Sequence, residues 1–185
     1  MNFLFNKYSH FNLANIVTFF NIASGVFAIY FLTHNEFFAA ALFAWLAGAF
    51  DIFDGKIARK YNLSTEFGIQ LDSYADFLSF VIVPAMFIYF AIFNGKEEFF
   101  NMAIIAAVFV YYIISGLRRL IQFNLNAEEG EVEKYFTGVP TPLGAILLWL
   151  VYLVYLTGFV HEYFVLGMMV VIGFLLNSKI KIKHL

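Results

Sequence analysis

Cysteine is absent from the 185 residues, which excludes disulfides and thiolate metal sites. Charge is scarce as well. Asp, Glu, Lys and Arg make up 13% of the chain, against 62% hydrophobic residues with 26 Phe among them. A soluble domain of this length has too little interior to hide so much apolar surface. With a mean hydropathy of +0.79, the composition is that of an integral membrane protein. Proline occurs three times. Pro84 lies inside an apolar run and is expected to kink it, whereas Pro140 and Pro142 suit the first turn of a helix. The opening MNFLFNKYSHFNLAN lacks the basic, apolar and small-residue order of a signal peptide. Phe3, Leu4, Phe5 and Phe11 beside Lys7 predict instead a short amphipathic helix over residues 1–11, lying on the membrane surface.

What is present is a series of six apolar stretches, roughly 12–33, 36–60, 65–93, 99–125, 139–158 and 161–178. Each is about 20 residues or longer, enough to cross roughly 30 Å of hydrocarbon as a helix. The expected fold is therefore an all-α membrane protein of six transmembrane helices, forming a single catalytic domain over residues 1–185. Ten Lys and Arg residues fall on one side of such an arrangement and only Lys96 on the other. That imbalance predicts a multi-pass protein of the cell membrane with both termini in the cytoplasm. The acidic run Glu128 to Lys134 reads as a solvated cytosolic loop. The four histidines sit at helix ends or tails and receive no catalytic role. Ala40, Ala44, Ala47 and Gly48 permit close helix contact, either inside the fold or at a dimer face.

Within this apolar background, residues 51–76 read DIFDGKIARKYNLSTEFGIQLDSYAD. Asp51 and Asp54 are three apart, Asp72 and Asp76 four apart, so on helices each pair shares a face. The polar KYNLST between them can turn. A hairpin turning near Leu63 sets Asp51 opposite Asp76 and Asp54 opposite Asp72, at depths of about 18 Å and about 14 Å from the turn at the usual helical rise. One acid inside a membrane costs a few kcal/mol, and four cannot all ionise in a small space unless cations share it. Oxygen-only ligands favour Mg²⁺, Mn²⁺ or Ca²⁺ over zinc or copper. Divalent ions held by several carboxylates suit phosphoryl chemistry. Arg59 follows Gly55 by one helical turn, and its guanidinium could hold a phosphate bidentately. An acid-lined bundle also serves as an ion or proton path. A transporter, however, would scatter its acids over several broken helices, while these share one hairpin. A divalent-ion or proton transporter stays as the alternative from another class.

The pattern Asp51-x-x-Asp54-Gly55-x-x-Ala58-Arg59, eight residues, Gly68-x-x-x-Asp72-x-x-x-Asp76 resembles the signature of the CDP-alcohol phosphotransferases at every fixed position. The resemblance implies a homodimer of six-helix subunits with a two-ion Mg²⁺ or Mn²⁺ site open to the cytosol. It implies displacement of CMP from a CDP-linked lipid by an alcohol. It assigns Asp51, Asp54, Asp72 and Asp76 to the ions, with Asp76 also as the base on the acceptor hydroxyl. It assigns Gly55, Arg59 and Thr65 to the CDP-lipid, and Ala58 and Gly68 to tight packing against the nucleotide. Asn15, Thr18, Asn21 and Gly25, with ADFLSFVIVPA, SGLRRLIQFN and FTGVPTP, look like the phosphatidylserine synthase branch. On that likeness the partners are a CDP-diacylglycerol-type lipid and L-serine, within membrane lipids and without nucleic acid. Glycerol phosphate or inositol phosphate is the alternative acceptor. Asn15 and Thr18 then edge the cytidine pocket, or else only cap and cross-link helices. Ser79 continues the Asp72 and Asp76 face and is expected in the acceptor site. Arg118 or Arg119 would hold the serine carboxylate. Being adjacent, the two arginines point about 100° apart, so at most one can do so.

Overall fold

The computed structural model describes residues 3–95, 99–128, 135–178 and 181–183. The backbone forms two compact units, Met1–Ser79 and Phe80–Leu185.

The first unit holds α1 (Leu13–Thr33), α2 (Phe37–Lys60) and α3 (Glu66–Asp76). Asn12 caps α1, its side-chain oxygen accepting the Asn15 N–H at 3.0 Å. One stripe of α1 is buried, and it is small and polar: Asn15, Thr18, Asn21, Ser24 and Gly25, then Ala28. Ala40 and Ala47 of α2 are wholly buried in this unit, so these two small residues serve internal packing. Aromatic pairs Phe20–Phe50 and Phe27–Phe43, with ring centroids 5.7 and 5.3 Å apart, tie α1 to α2. Between α2 and α3, Asn62 takes a left-handed φ of 53°, and the Leu63 N–H returns to the Ala58 carbonyl at 2.9 Å. Such a reversal ends a helix sharply. Thr65 then caps α3 by accepting the Gly68 N–H at 3.0 Å. The hairpin expected from the sequence is therefore formed, with its turn at Leu63.

The surface helix expected over residues 1–11 is not. Among the described residues of that segment, only a 3₁₀ turn, Phe3–Phe5, forms. The reason is local: the Asn6 side chain accepts the Tyr8 N–H at 3.1 Å, and the Ser9 hydroxyl accepts the Phe11 N–H at 3.2 Å. These short side chains offer the backbone an alternative to a helical ladder. The segment runs instead as a strap across the hairpin turn.

The second unit begins within a π-helical stretch, Phe77–Ile82, followed by α4 (Val83–Ile88) and a second π-helical stretch, Tyr89–Phe93. Pro84 sits in the first turn of α4. Its missing N–H is accommodated by widening of the preceding turn, a change of helical register at the place where a kink was expected. α5 (Phe99–Glu128), α6 (Thr141–Leu156) and α7 (Glu162–Leu176) complete the helices. Pro140 caps α6 and Pro142 lies in its first turn. A three-residue antiparallel ladder, which the sequence reading had as loop and tail, joins β1 (Tyr135–Thr137) to β2 (Lys181–Lys183). It is set up by Gly138, φ 87°, where a Cβ would stand 2.8 Å from the Leu176 carbonyl oxygen. Lys96, residues 129–134, Lys179 and His184 lie outside the described residues.

Four helical runs, Leu13–Thr33, Phe37–Lys60, Glu66–Phe93 and Met102–Leu125, are long and apolar enough to cross a membrane. α6 and α7 are apolar but shorter, with 16 and 15 residues. Among the described residues the chain is an all-helical membrane protein apart from its short ladder.

Candidate active site

The hairpin brings three carboxylates together. One oxygen each of Asp51, Asp72 and Asp76 lies within 4.8 Å of the other two. Asp54, 3% exposed, lies outside that trio. It shares with Asp72 the wall of a cavity of about 240 Å³. Asp51 and Asp76 thus lie together in the trio, Asp54 and Asp72 share the cavity wall, and Asp72 belongs to both groups. Both oxygens of Asp54 are buried without a hydrogen-bond partner among the described residues. Orphaned carboxylate oxygens of this kind are expensive unless something cationic meets them. An all-oxygen set of four carboxylates fits a hard divalent cation such as Mg²⁺ or Mn²⁺.

The cavity is built from each element of the unit in turn. α1 lends Asn15 and Thr18; α2 lends Asp54, Gly55, Ala58 and Arg59; the turn and α3 lend Thr65, Gly68 and Asp72. Every residue the family signature assigns to the CDP-lipid therefore lines one space. Local packing explains the shape. A Cβ at Gly68 would stand 2.9 Å from Asn15 Oδ1, so α1 approaches α3 only because position 68 has no side chain. The Asn15 amide is fixed from behind, its Nδ2 donating to the His10 carbonyl at 3.0 Å. At Gly55 the nearest atoms to a built Cβ are the Arg59 guanidinium nitrogens, both at 3.8 Å. Arg59 thus folds back over the glycine and faces the cavity. Arg59 is the one cationic side chain on the wall, and it has Asp54 and Asp72 for company.

The strap closes the turn end of this space, which the sequence reading did not anticipate. Asn12 Nδ2 donates to the Leu63 carbonyl at 3.5 Å. The His10 ring stacks on Phe67 with centroids 4.3 Å apart, and Phe5 meets Tyr61 edge-on at 5.1 Å. A second cavity, of about 550 Å³, lies between Lys7, Tyr8 and His10 of the strap and residues 64–67 of the turn. The signal for the strap was Asn12, a strong cap just ahead of an apolar run, with Asn6 and Ser9 before it.

The residues expected at the acceptor are not among the lining of this cavity. Ser79 is 3% exposed and does not line the cavity. Its hydroxyl donates to Asn21 Oδ1 at 2.6 Å. In the second unit, Arg118 is exposed and Arg119 is 6% exposed. Arg119 donates from Nε to the Val139 carbonyl at 3.2 Å. The two arginines diverge as adjacent helical residues must.

Comparison with known proteins agrees with the motif. Residues 11–176 match the model of the CDP-alcohol phosphatidyltransferase family. A CDP-diacylglycerol–serine O-phosphatidyltransferase of Helicobacter pylori J99 is 30% identical over 172 residues, spanning 90% of this chain and 70% of that one. The enzyme of the same name from Bacillus subtilis is 30% identical over 133 residues, 72% of this chain and 71% of its own. An archaetidylserine synthase of Methanothermobacter thermautotrophicus is 31% identical over 171 residues, 91% of this chain and 68% of its own. On the length of the family match and the agreement of these relatives, the chain belongs to the CDP-alcohol phosphatidyltransferase family.

Proposed function

We propose that the protein is a membrane transferase that moves the phosphatidyl or archaetidyl group of a CDP-activated diradylglycerol lipid to the hydroxyl of L-serine and releases CMP. The observation that carries this reading is Asp72. It stands both in the carboxylate trio and on the wall of a cavity lined by Arg59, Gly55 and Gly68. A pyrophosphate and a nucleoside thus have adjoining places. Serine is favoured over glycerol phosphate or inositol phosphate because the similar proteins are named for serine transfer or archaetidylserine synthesis.

In the reaction, the serine oxygen forms a bond to the lipid-bearing phosphorus. The bond from that phosphorus to the CMP oxygen breaks, and CMP leaves with the bonding pair. Asp76, buried beside Asp51 and Asp72, takes the hydroxyl proton. Asp51, Asp54, Asp72 and Asp76 would hold two Mg²⁺ or Mn²⁺ ions, which would neutralise charge at the pyrophosphate. Arg59, folded over Gly55, grips a phosphate oxygen pair. Asn15, Thr18 and Thr65 meet the nucleotide, while Ala58 and Gly68 leave it room. Arg119, oriented by the Val139 carbonyl, is the better of the two arginines for the serine carboxylate, because a buried cation with a fixed plane reads a carboxylate more selectively than an exposed one. Ser79 acts through Asn21. The two units work as one catalytic domain in a homodimer, with six spans and with the termini and site in the cytoplasm, as the distribution of Lys and Arg favours.

The test is CMP release by the purified protein with CDP-diacylglycerol, Mg²⁺ and an acceptor panel of L-serine, glycerol 3-phosphate and inositol phosphate. Release dependent on serine alone is expected. Release that depends on a phosphorylated alcohol would move the protein to another branch, and no release with any acceptor would end the enzyme reading.

A further inference from the structure

Beyond the signature residues, one buried amide remains unexplained. Asn21 is 0% exposed and its Nδ2 has no hydrogen-bond partner among the described residues. Its other end is fixed, because Oδ1 accepts the Ser79 hydroxyl at 2.6 Å. Gly25, one turn further along α1, lets the chains come this close: a Cβ there would be 3.2 Å from Ser79 Oγ and 3.1 Å from a Leu78 methyl. The pin leaves the amide one orientation, with Nδ2 aimed away from Ser79.

The register between the helices says where it points. Asn15 abuts Gly68, and Asn21 holds Ser79, so α1 and α3 run side by side in the same direction. Asp76 is three residues before Ser79, under one helical turn, and so lies between those two contacts, on the same face as Ser79 and one turn nearer the hairpin turn. Asp76 Oδ1 is itself a buried oxygen without a partner. The two atoms do not bond to each other in the structure; a buried donor and a buried acceptor on adjoining turns meet each other's need through one bridging water.

Resting on the reading of Asp76 as the base, we propose that Asn21, pinned by Ser79, is a positioning residue: through one bridging water its amide N–H holds Oδ1 of Asp76 and so fixes which carboxylate oxygen faces the ions and the acceptor hydroxyl. Ser79 belongs to the same device one step further out. This gives the reaction a second-helix support for its base, supplied from α1 rather than from the hairpin that carries the signature.

The test uses the full-length protein in detergent, with two readouts. At saturating serine and CDP-diacylglycerol, Asn21→Ala is expected to lower kcat roughly 10- to 100-fold, the range for losing a hydrogen bond to a charged group, with the donor KM within twofold of wild type. Without any substrate, Mn²⁺ binding followed by electron paramagnetic resonance is expected to weaken several-fold, because Asp76 loses its orientation as a ligand. Ser79→Ala, which removes only the pin, should give a smaller effect in the same direction, and the double variant should be no worse than Asn21→Ala alone. A wild-type kcat in Asn21→Ala, or unchanged Mn²⁺ affinity in both single variants, overturns the proposal. If Asn21→Ala does not elute as a folded species, Ser79→Ala decides by the same two measurements. A wild-type protein that releases no CMP would fail the functional reading, and the Mn²⁺ measurement would still judge the positioning role.

Discussion

Gly55 and Gly68 are both fixed positions of the signature, and a methyl group would meet different things at each. At Gly68 it would press on Asn15 Oδ1 at 2.9 Å, and at Gly55 it would meet only the Arg59 guanidinium at an ordinary 3.8 Å. Gly68→Ala should therefore lower the unfolding temperature in detergent and raise the donor KM, since Asn15 is displaced. Gly55→Ala should leave the unfolding temperature unchanged and still raise the donor KM, because its methyl takes space the donor needs. Equal thermal shifts in the two variants would refute this division. Among the acids, Asp72 is shared by the trio and the cavity, so Asp72→Asn should abolish CMP release while the protein still elutes as a folded species. EDTA should stop the wild type, and Mg²⁺ or Mn²⁺ should restore it. For the arginines, Lys keeps the charge but loses the planar fork and the Nε donor. Arg119→Lys should raise the serine KM by about tenfold or more with the CDP-lipid KM unchanged, and Arg118→Lys should be tolerated. A serine titration of both variants checks it, and an unshifted KM in both would remove these residues from acceptor recognition.

At the scale of elements, Thr65 carries two roles that a pair of substitutions separates. Its hydroxyl caps α3 through Gly68 and also lines the cavity. Thr65→Ala should cost about 1 kcal/mol of stability, as cap losses do, and should also weaken donor binding. Thr65→Ser keeps the hydroxyl and should recover both, as read from denaturant midpoints and donor KM. The hairpin itself was legible in the chain because charge is so rare there: four aspartates in an apolar background, with a polar turn between them, leave few ways to fold. The double membership of Asp72 was not legible. Midpoint symmetry pairs residues by depth alone, and it cannot see that Asp72 joins Asp51 and Asp76 as well as sharing a wall with Asp54. The strap was missed for a related reason. Phe3, Phe5 and Phe11 carry the pattern of a surface helix, but Asn6 and Ser9 spend their side chains on the backbone and unravel it. Pro84 announced a disturbance correctly, but not that it would take the form of a π-helical widening over Phe77–Ile82. The position of Arg118 and Arg119 with respect to the acids depends on packing between distant segments, which local spacing does not encode.

For the molecule as a whole, orientation is open to direct measurement because the chain has no cysteine of its own. Tyr8 is 90% exposed on the strap, and Asn94 is exposed beyond the second π-helical stretch. In sealed right-side-out vesicles, an impermeant maleimide should label Asn94→Cys and spare Tyr8→Cys, and inverted vesicles should reverse the result. Labelling of Tyr8→Cys from outside would overturn the cytoplasmic assignment. The strap also has a consequence for how the protein is made. Asn12 and its partner Leu63 are 51 residues apart. At roughly 5–20 residues per second, the ribosome delivers the second of them about 3–10 s after the first. In that interval α1 and α2 are already entering the bilayer, while residues 3–12 have nothing to grip. Fastening of the strap thus waits on the hairpin turn, and damage to it would show as slow maturation of the enzyme after insertion rather than as failure to insert.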